Sequence, residues 1–227
     1  MSSNKLMESL RRFQQNRKEN LTEDELADLF EDVARTLLFG GHFESFCGNR
    51  LVHRIYPFTV EFYYHEETGG VKDYIVYHRN PEDPKKSPNP LPAFSLGSLH
   101  AHISGIDITF EDQRENPAYR ASALIRAYQV DDSKAVESRS TYLYDYLFSD
   151  ISLQDGIRVV WQDDSPADAR IHKGYRVNVN KYYINDKGKR VKRTKDTHPD
   201  DYRDRRPWAF SRRAFEEPYI INNQEAY

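Results

Sequence analysis

At 227 residues the chain is long enough for one sizeable core, and its net charge of −3 argues against a protein that is basic all over. Only 38% of residues are hydrophobic against 30% charged, yet 16 Tyr and 12 Phe supply apolar area that bulk hydropathy understates, so a packed fold is expected. No Pro/Gly/Ser-rich linker divides the chain. Its N-terminus lacks the apolar run of about 7 to 15 residues of a secretory signal, and no stretch approaches the ~18 apolar residues of a membrane span. A single-domain cytoplasmic protein with no membrane partner is therefore predicted. Cys47, the lone cysteine, cannot form an internal disulfide and lacks the neighbouring ligands of a zinc site.

Helices come first along the chain. Ser3 to Gln15 places Leu6, Met7, Leu10 and Phe13 at helical spacing, and residues 1–20 read as a helical extension ahead of a domain spanning 21–227. Thr22-Glu-Asp-Glu25 is a capping box that opens a helix carrying Leu26, Leu29, Phe30, Val33, Leu37 and Leu38, ended by Gly40-Gly41. Segments rich in β-branched and aromatic residues then predict strands at Leu51–Tyr56, Thr59–Tyr64, Leu99–Phe110 and Ala121–Val130, with a proline-punctuated loop from Asn80 to Pro92. Tyr142–Phe148 reads as a short aromatic helix, and Arg158–Trp161 and Tyr175–Tyr183 as later strands. The expected fold is α+β, a single domain with a curved, mostly antiparallel sheet and flanking helices.

Charge is distributed unevenly. From Lys187 to Arg213 there are eleven Lys/Arg against four Asp, about +7, which leaves the rest of the chain near −10. Such a stretch fits a phosphate-binding surface acting through Coulomb attraction and counterion release, and it fits a solvated hairpin loop as well.

Several short segments fall in one order. Val33-Ala-Arg-Thr-Leu-Leu38 is followed by Thr59-Val-Glu61-Phe-Tyr63, His78-Arg-Asn-Pro81, Gly97-Ser-Leu-His-Ala-His-Ile-Ser-Gly105, Ser122-Ala-Leu-Ile-Arg-Ala127, Tyr175-Arg-Val-Asn-Val179 and Arg206-Pro-Trp-Ala-Phe210. Their order and spacing resemble the alkyladenine (3-methyladenine) family of DNA base-excision glycosylases. The resemblance covers roughly Phe30 to Ala127 and Lys173 to Phe210.

It implies hydrolysis of the N-glycosidic bond of an alkylated purine. That chemistry needs a water aimed at the anomeric carbon, a carboxylate to take its proton, and a pocket for the extruded base. Glu61 is the candidate carboxylate, because a Glu between Val60 and Phe62 on an apolar strand is costly to bury without a reason. A structural ion pair with Arg126 is the competing account. Tyr63 shares the face of Glu61 and is a candidate wall of the base pocket, beside His78 and His102, with Arg126 as an orienting cation. Lys187, Lys189, Arg190, Lys192, Arg193 and Lys195 are the candidate phosphate contacts. DNA, single-stranded or damaged, is the implied partner, and no cofactor is expected.

The departures from the family pattern also carry information. Where the family inserts a Tyr into the duplex from the residue before its Gly, this chain has Ser104. That leaves open a single-stranded substrate, a different wedge, or no action on DNA. Asp107 and Glu111 bring negative charge where the family is apolar or amide-bearing. His100 and His102 with those carboxylates could also suggest a His-x-His-carboxylate metal site, but satisfied core histidines explain the pair equally, and no metal is expected. The alternatives are a catalytically inactive nucleic-acid-binding relative and a small-molecule nucleoside hydrolase.

Overall fold

The structure, a computed structural model, describes residues 4–73, 75–76, 78–80, 85, 91–148, 154–165, 169–176, 182–184, 190–192 and 206–215, with 182–184 and 190–192 described by their backbone alone. Helix α1 (Lys5–Asn16) starts where the Asn4 side chain accepts the Met7 N–H at 2.9 Å. It buries Leu6, Leu10 and Phe13 in the same core as the rest of the chain. Helix α2 (Glu23–Phe39) opens on the predicted capping box: Thr22 Oγ1 accepts the Glu25 N–H at 3.2 Å and Glu25 Oε2 accepts the Thr22 N–H at 2.8 Å. Its end is fixed by Gly40, after which Gly41 begins a strand. A Cβ on Gly41 would lie 2.2 Å from the Gln162 carbonyl oxygen, so only glycine lets the two backbones approach there.

The strands are β1 (Gly41–Cys47), β2 (Arg50–Glu66), β3 (Leu99–His102), β4 (Gly105–Thr109), β5 (Tyr119–Val130), β6 (Ile157–Asp163), β7 (His172–Gly174), β8 (Tyr182–Ile184), β9 (Arg190–Lys192) and β10 (Ala209–Ser211). A 3-10 turn (Ser140–Tyr142) and helix α3 (Leu143–Phe148) stand between β5 and β6. The main sheet runs β3-β4-β5-β2-β1-β6, with β10 pairing both β2 and β7, and β8 with β9 forms a separate ribbon. Every pairing is antiparallel. The sheet curls into a half-barrel, and the molecule is a single α+β domain. Among the described residues no helix is long and apolar enough to cross a membrane.

Alternation along β2 decides what goes where. Val60, Phe62 and Tyr64 are fully buried and face the helices, with Phe62 stacked on Phe30 of α2 at 4.7 Å. The intervening residues, Glu61, Tyr63 and His65, point to the other face.

Several segments differ from the sequence reading, the short strands β7, β9 and β10 among them. The strands expected at Leu51–Tyr56 and Thr59–Tyr64 are one 17-residue strand, because Pro57 is accommodated where the register shifts rather than breaking the ladder. The strand expected over Leu99–Phe110 is a hairpin, turning at Ile103-Ser104 ahead of Gly105, whose φ is +137°. Of the strand expected at Tyr175–Tyr183, Tyr175 and Arg176 lie outside any strand, Tyr182 and Tyr183 are in β8, and residues 177–181 lie outside the described residues. Strand β1 had no alternating apolar signal, since its pairing partners on both sides, β2 and β6, supply its burial.

Candidate active site

Glu61 stands mid-sheet, opposite Leu124 of β5 on one side and Ala209 of β10 on the other. Its side chain is 1% exposed. Such a carboxylate is held in a low-dielectric setting only by nearby partners. The Tyr63 hydroxyl donates to Glu61 Oε2 at 2.9 Å, and Arg126 Nε is 3.8 Å from Oε1, an ion pair longer than a hydrogen bond. Tyr63 can therefore serve as an anchor of the carboxylate as well as a wall.

Arg126 reaches this position because the ladder is irregular there. Thr59 pairs with Ala127 while Val60 pairs with Ile125, so Arg126 is an extra residue in β5, just as Phe58 is an extra residue in β2 between Pro57 and Thr59. Such bulges re-aim a side chain and bend the strand. The guanidinium also donates from Nη1 to Ser140 Oγ at 3.1 Å.

Burial pushes the Tyr63 phenol well above its ordinary value. The charge of Glu61 adds to this, Arg176 opposes it and Asp107 raises it again. Tyr63 is thus a proton donor throughout the neutral range. Arg176, 3% exposed, lies 4.8 Å from the centre of the Tyr63 ring and donates to the Phe62 carbonyl at 3.0 Å and to Asp73 at 2.5 Å.

His78 and His102 belong to a neighbouring cluster rather than to the Glu61 group. His102 Nε2 is 3.0 Å from Asp107 Oδ1, and the Ser122 hydroxyl donates to Asp107 Oδ2 at 2.9 Å. Ser104 N–H donates to His102 Nδ1 at 3.3 Å, while Nε2 approaches Asp107 without hydrogen-bond geometry. His78 Nδ1 pairs with Glu111 at 3.1 Å. The rings form a ladder: His78 to Phe94 at 4.0 Å, Phe94 to His100 at 4.3 Å and His100 to His102 at 5.7 Å. Burial lowers the His100 pKa, so its ring is neutral near pH 7.

The two clusters share the sheet. Glu61, Leu124, Asp107 and His100 lie in one cross-strand row, and Tyr63, Ser122 and Thr109 in the next. Cross-strand partners carry their side chains on the same face, so the carboxylate, the phenol and the imidazoles all line the surface opposite the helices.

Arg120, wholly buried, braces the far end. It binds Glu67 at 2.9 Å and Glu111 at 3.1 Å, and Glu111 also accepts the Phe94 N–H at 2.9 Å. Each of these buried groups has an oppositely charged partner, which offsets part of the cost of its desolvation. The two carboxylates of the His-x-His-carboxylate pattern are engaged one by one by different partners, Asp107 by His102 and Ser122, Glu111 by His78 and Arg120. Among the described residues no group of three or more His, Cys, Asp or Glu is arranged to hold a metal ion.

Sequence reasoning missed Ser140, Ser122, Phe94, Arg120 and Arg176. Alternation could have placed Ser122 and Arg120 beside Arg126 on one face of β5, and Arg176 lies in the Tyr175–Val179 segment without a role read there; no local signal marks Ser140 or Phe94. Of the candidate phosphate contacts, Lys187, Lys189, Arg193 and Lys195 lie outside the described residues. Arg190 and Lys192 are on β9, with their side chains outside them too.

The fold and this face define a class: a single-domain α+β protein with a buried carboxylate and a ladder of imidazoles on a curled antiparallel sheet. Comparison of the chain with known protein families, with curated proteins and with solved structures finds no match.

Proposed function

We propose that the protein is a base-excision N-glycosylase that releases alkylated purines from DNA, with Glu61 activating the attacking water. The observation that carries this reading is the setting of Glu61: a carboxylate 1% exposed on a strand whose other face is the apolar core, oriented by Tyr63 and accompanied by Arg126 at 3.8 Å. Retaining a buried charge there costs several kcal/mol before pairing, by about the usual penalty for such groups.

In the reaction, Glu61 takes a proton from water directed at the anomeric carbon, and its charge offsets the oxocarbenium character of the sugar. Tyr63 holds the carboxylate in one orientation. Arg126 limits the cost of its charge. The imidazole and phenyl faces of the neighbouring ladder suit an electron-poor base, which gains from stacking. The collinear resemblance to alkyladenine glycosylases supports the same assignment, and the basic stretch from Lys187 supports a phosphate-bearing substrate.

The test is an abasic-site assay on alkylated single-stranded and duplex DNA with wild type and Glu61→Gln. The amide keeps shape and removes both proton acceptor and charge, so base release should fall by about 10² to 10⁴. Arg126 remains 20% exposed and bonded to Ser140, so the melting temperature should change little. Wild type that releases no base from either DNA, but cleaves free nucleosides, would move the substrate to small molecules. Wild type inactive on all three would leave Glu61 a structural carboxylate.

A further inference from the structure

The turn of the β3–β4 hairpin is tied to Glu61 by a chain of contacts through Ser140. Ser140, 4% exposed, opens the 3-10 turn after β5. Its hydroxyl donates to the Ser104 carbonyl at 2.7 Å and accepts from Arg126 Nη1 at 3.1 Å. A hydroxyl has one proton, and here it is committed to Ser104, so toward Arg126 the oxygen acts only as an acceptor. Ser140 cannot drift, because β4 presses on it: a Cβ at Gly105 would lie 3.1 Å from Ser140 Cβ and 3.2 Å from its carbonyl oxygen.

We propose that Ser140 is a positioning residue that holds the Arg126 guanidinium back from Glu61, so that the cation supports the carboxylate without closing on it. This rests on the N-glycosidic reading of Glu61. An Arg and a carboxylate left to themselves favour a bidentate pair at about 2.7–2.9 Å. A carboxylate so clamped is a weak base, because a close cation favours its ionised form. Ser140 occupies one prong of the fork, and Arg126 Nε stays 3.8 Å from Oε1. Among the described residues, the charged and titratable groups facing Glu61 from the packed elements include Tyr63 from β2, Arg126 from β5, Asp107 from β4 with His100 and His102 of β3 behind it, and Arg176 from the segment after β7, while β10 presents Ala209. Of these, Arg126 is the one bonded to Ser140.

The experiment compares wild type, Ser140→Ala and Arg126→Lys. Base release is followed across pH, and the Glu61 carboxyl is titrated directly by carbon NMR in ¹³C-glutamate-labelled protein, with Glu61→Gln to assign the signal. Ser140→Ala should lower kcat by about ten-fold, the scale of one lost hydrogen bond to a charged group, with KM little changed. It should move the Glu61 titration and the acidic limb of the rate profile together to lower pH. Arg126→Lys, which has no fork to close, should make the further change Ser140→Ala nearly silent. An unmoved Glu61 titration in Ser140→Ala with the fold intact, judged by melting, overturns the positioning role. A wild type that releases no base overturns the glycosylase reading instead, and the NMR titration still decides whether Ser140 controls the carboxylate.

Discussion

The two faces of β2 are built from alternate residues of one strand, yet they are stabilised by different physics. On the helix side Val60, Phe62 and Tyr64 meet Phe13, Phe30 and Phe110, and their burial is repaid by the loss of apolar surface to water. On the other side Glu61 and His65 are nearly as inaccessible and Tyr63 is partly buried, but each is held by named partners: Glu61 by Tyr63 and Arg126, His65 by the backbone N–H of Asp73 at 3.2 Å. The apolar face tolerates exchange of one hydrophobe for another of similar size. The polar face does not, because removing one partner strands a buried polar group. A face so intolerant, in a sheet that could have been sealed with apolar residues, is where function is expected.

Three substitutions sharpen that contrast, in order of expected effect. Phe62→Ala should cost about 3–5 kcal/mol in chemical denaturation, since Phe62 is fully buried between Phe30 and Phe210. A loss under about 1 kcal/mol would mean that the helix side is not the main core.

His65 comes next. Burial lowers its pKa to about 4, from the ordinary 6.5, so in the unfolded chain it binds a proton that the folded state refuses between those limits. The sign follows: its neutral form is fully accommodated above pH 6.5, and stability falls as pH drops from there toward 4, by roughly 3 kcal/mol in all. His65→Gln should flatten this segment of the stability-versus-pH curve relative to wild type. Parallel curves for the two proteins would show that His65 is solvated.

Tyr63→Phe should have the smallest effect, about 1.5–3 kcal/mol at most, from removing a hydrogen bond to a charged group. Under the glycosylase reading most of it should appear in kcat, because the phenol orients the carboxylate rather than building the core. A purely thermal loss with unchanged turnover would return Tyr63 to the core side of the comparison.

Much of the architecture could be read from local signals. The Thr22 capping box and the 3.6-residue spacing of Leu26, Phe30, Val33 and Leu37 specify α2 without any long-range contact. The alternation of Val60, Phe62 and Tyr64 with Glu61 and Tyr63 puts a carboxylate and a phenol on one face before any partner strand is known. The hairpin inside Leu99–Phe110 was harder to see, since its turn carries the exposed Ile103 rather than a Gly-Asn type pair.

Chain order alone thus determined the helices, the single α+β domain and the choice of Glu61 as the carboxylate to explain. Tertiary structure decided the rest. Register brought Asp107 and His100 into the row of Glu61, the bulge at Arg126 turned its guanidinium toward that carboxylate, and Ser140 arrived from a separate turn to accept one of its hydrogen bonds. These are relations between residues far apart in the chain. They depend on which strands pair and where the ladder slips, and no periodicity within a single segment encodes either.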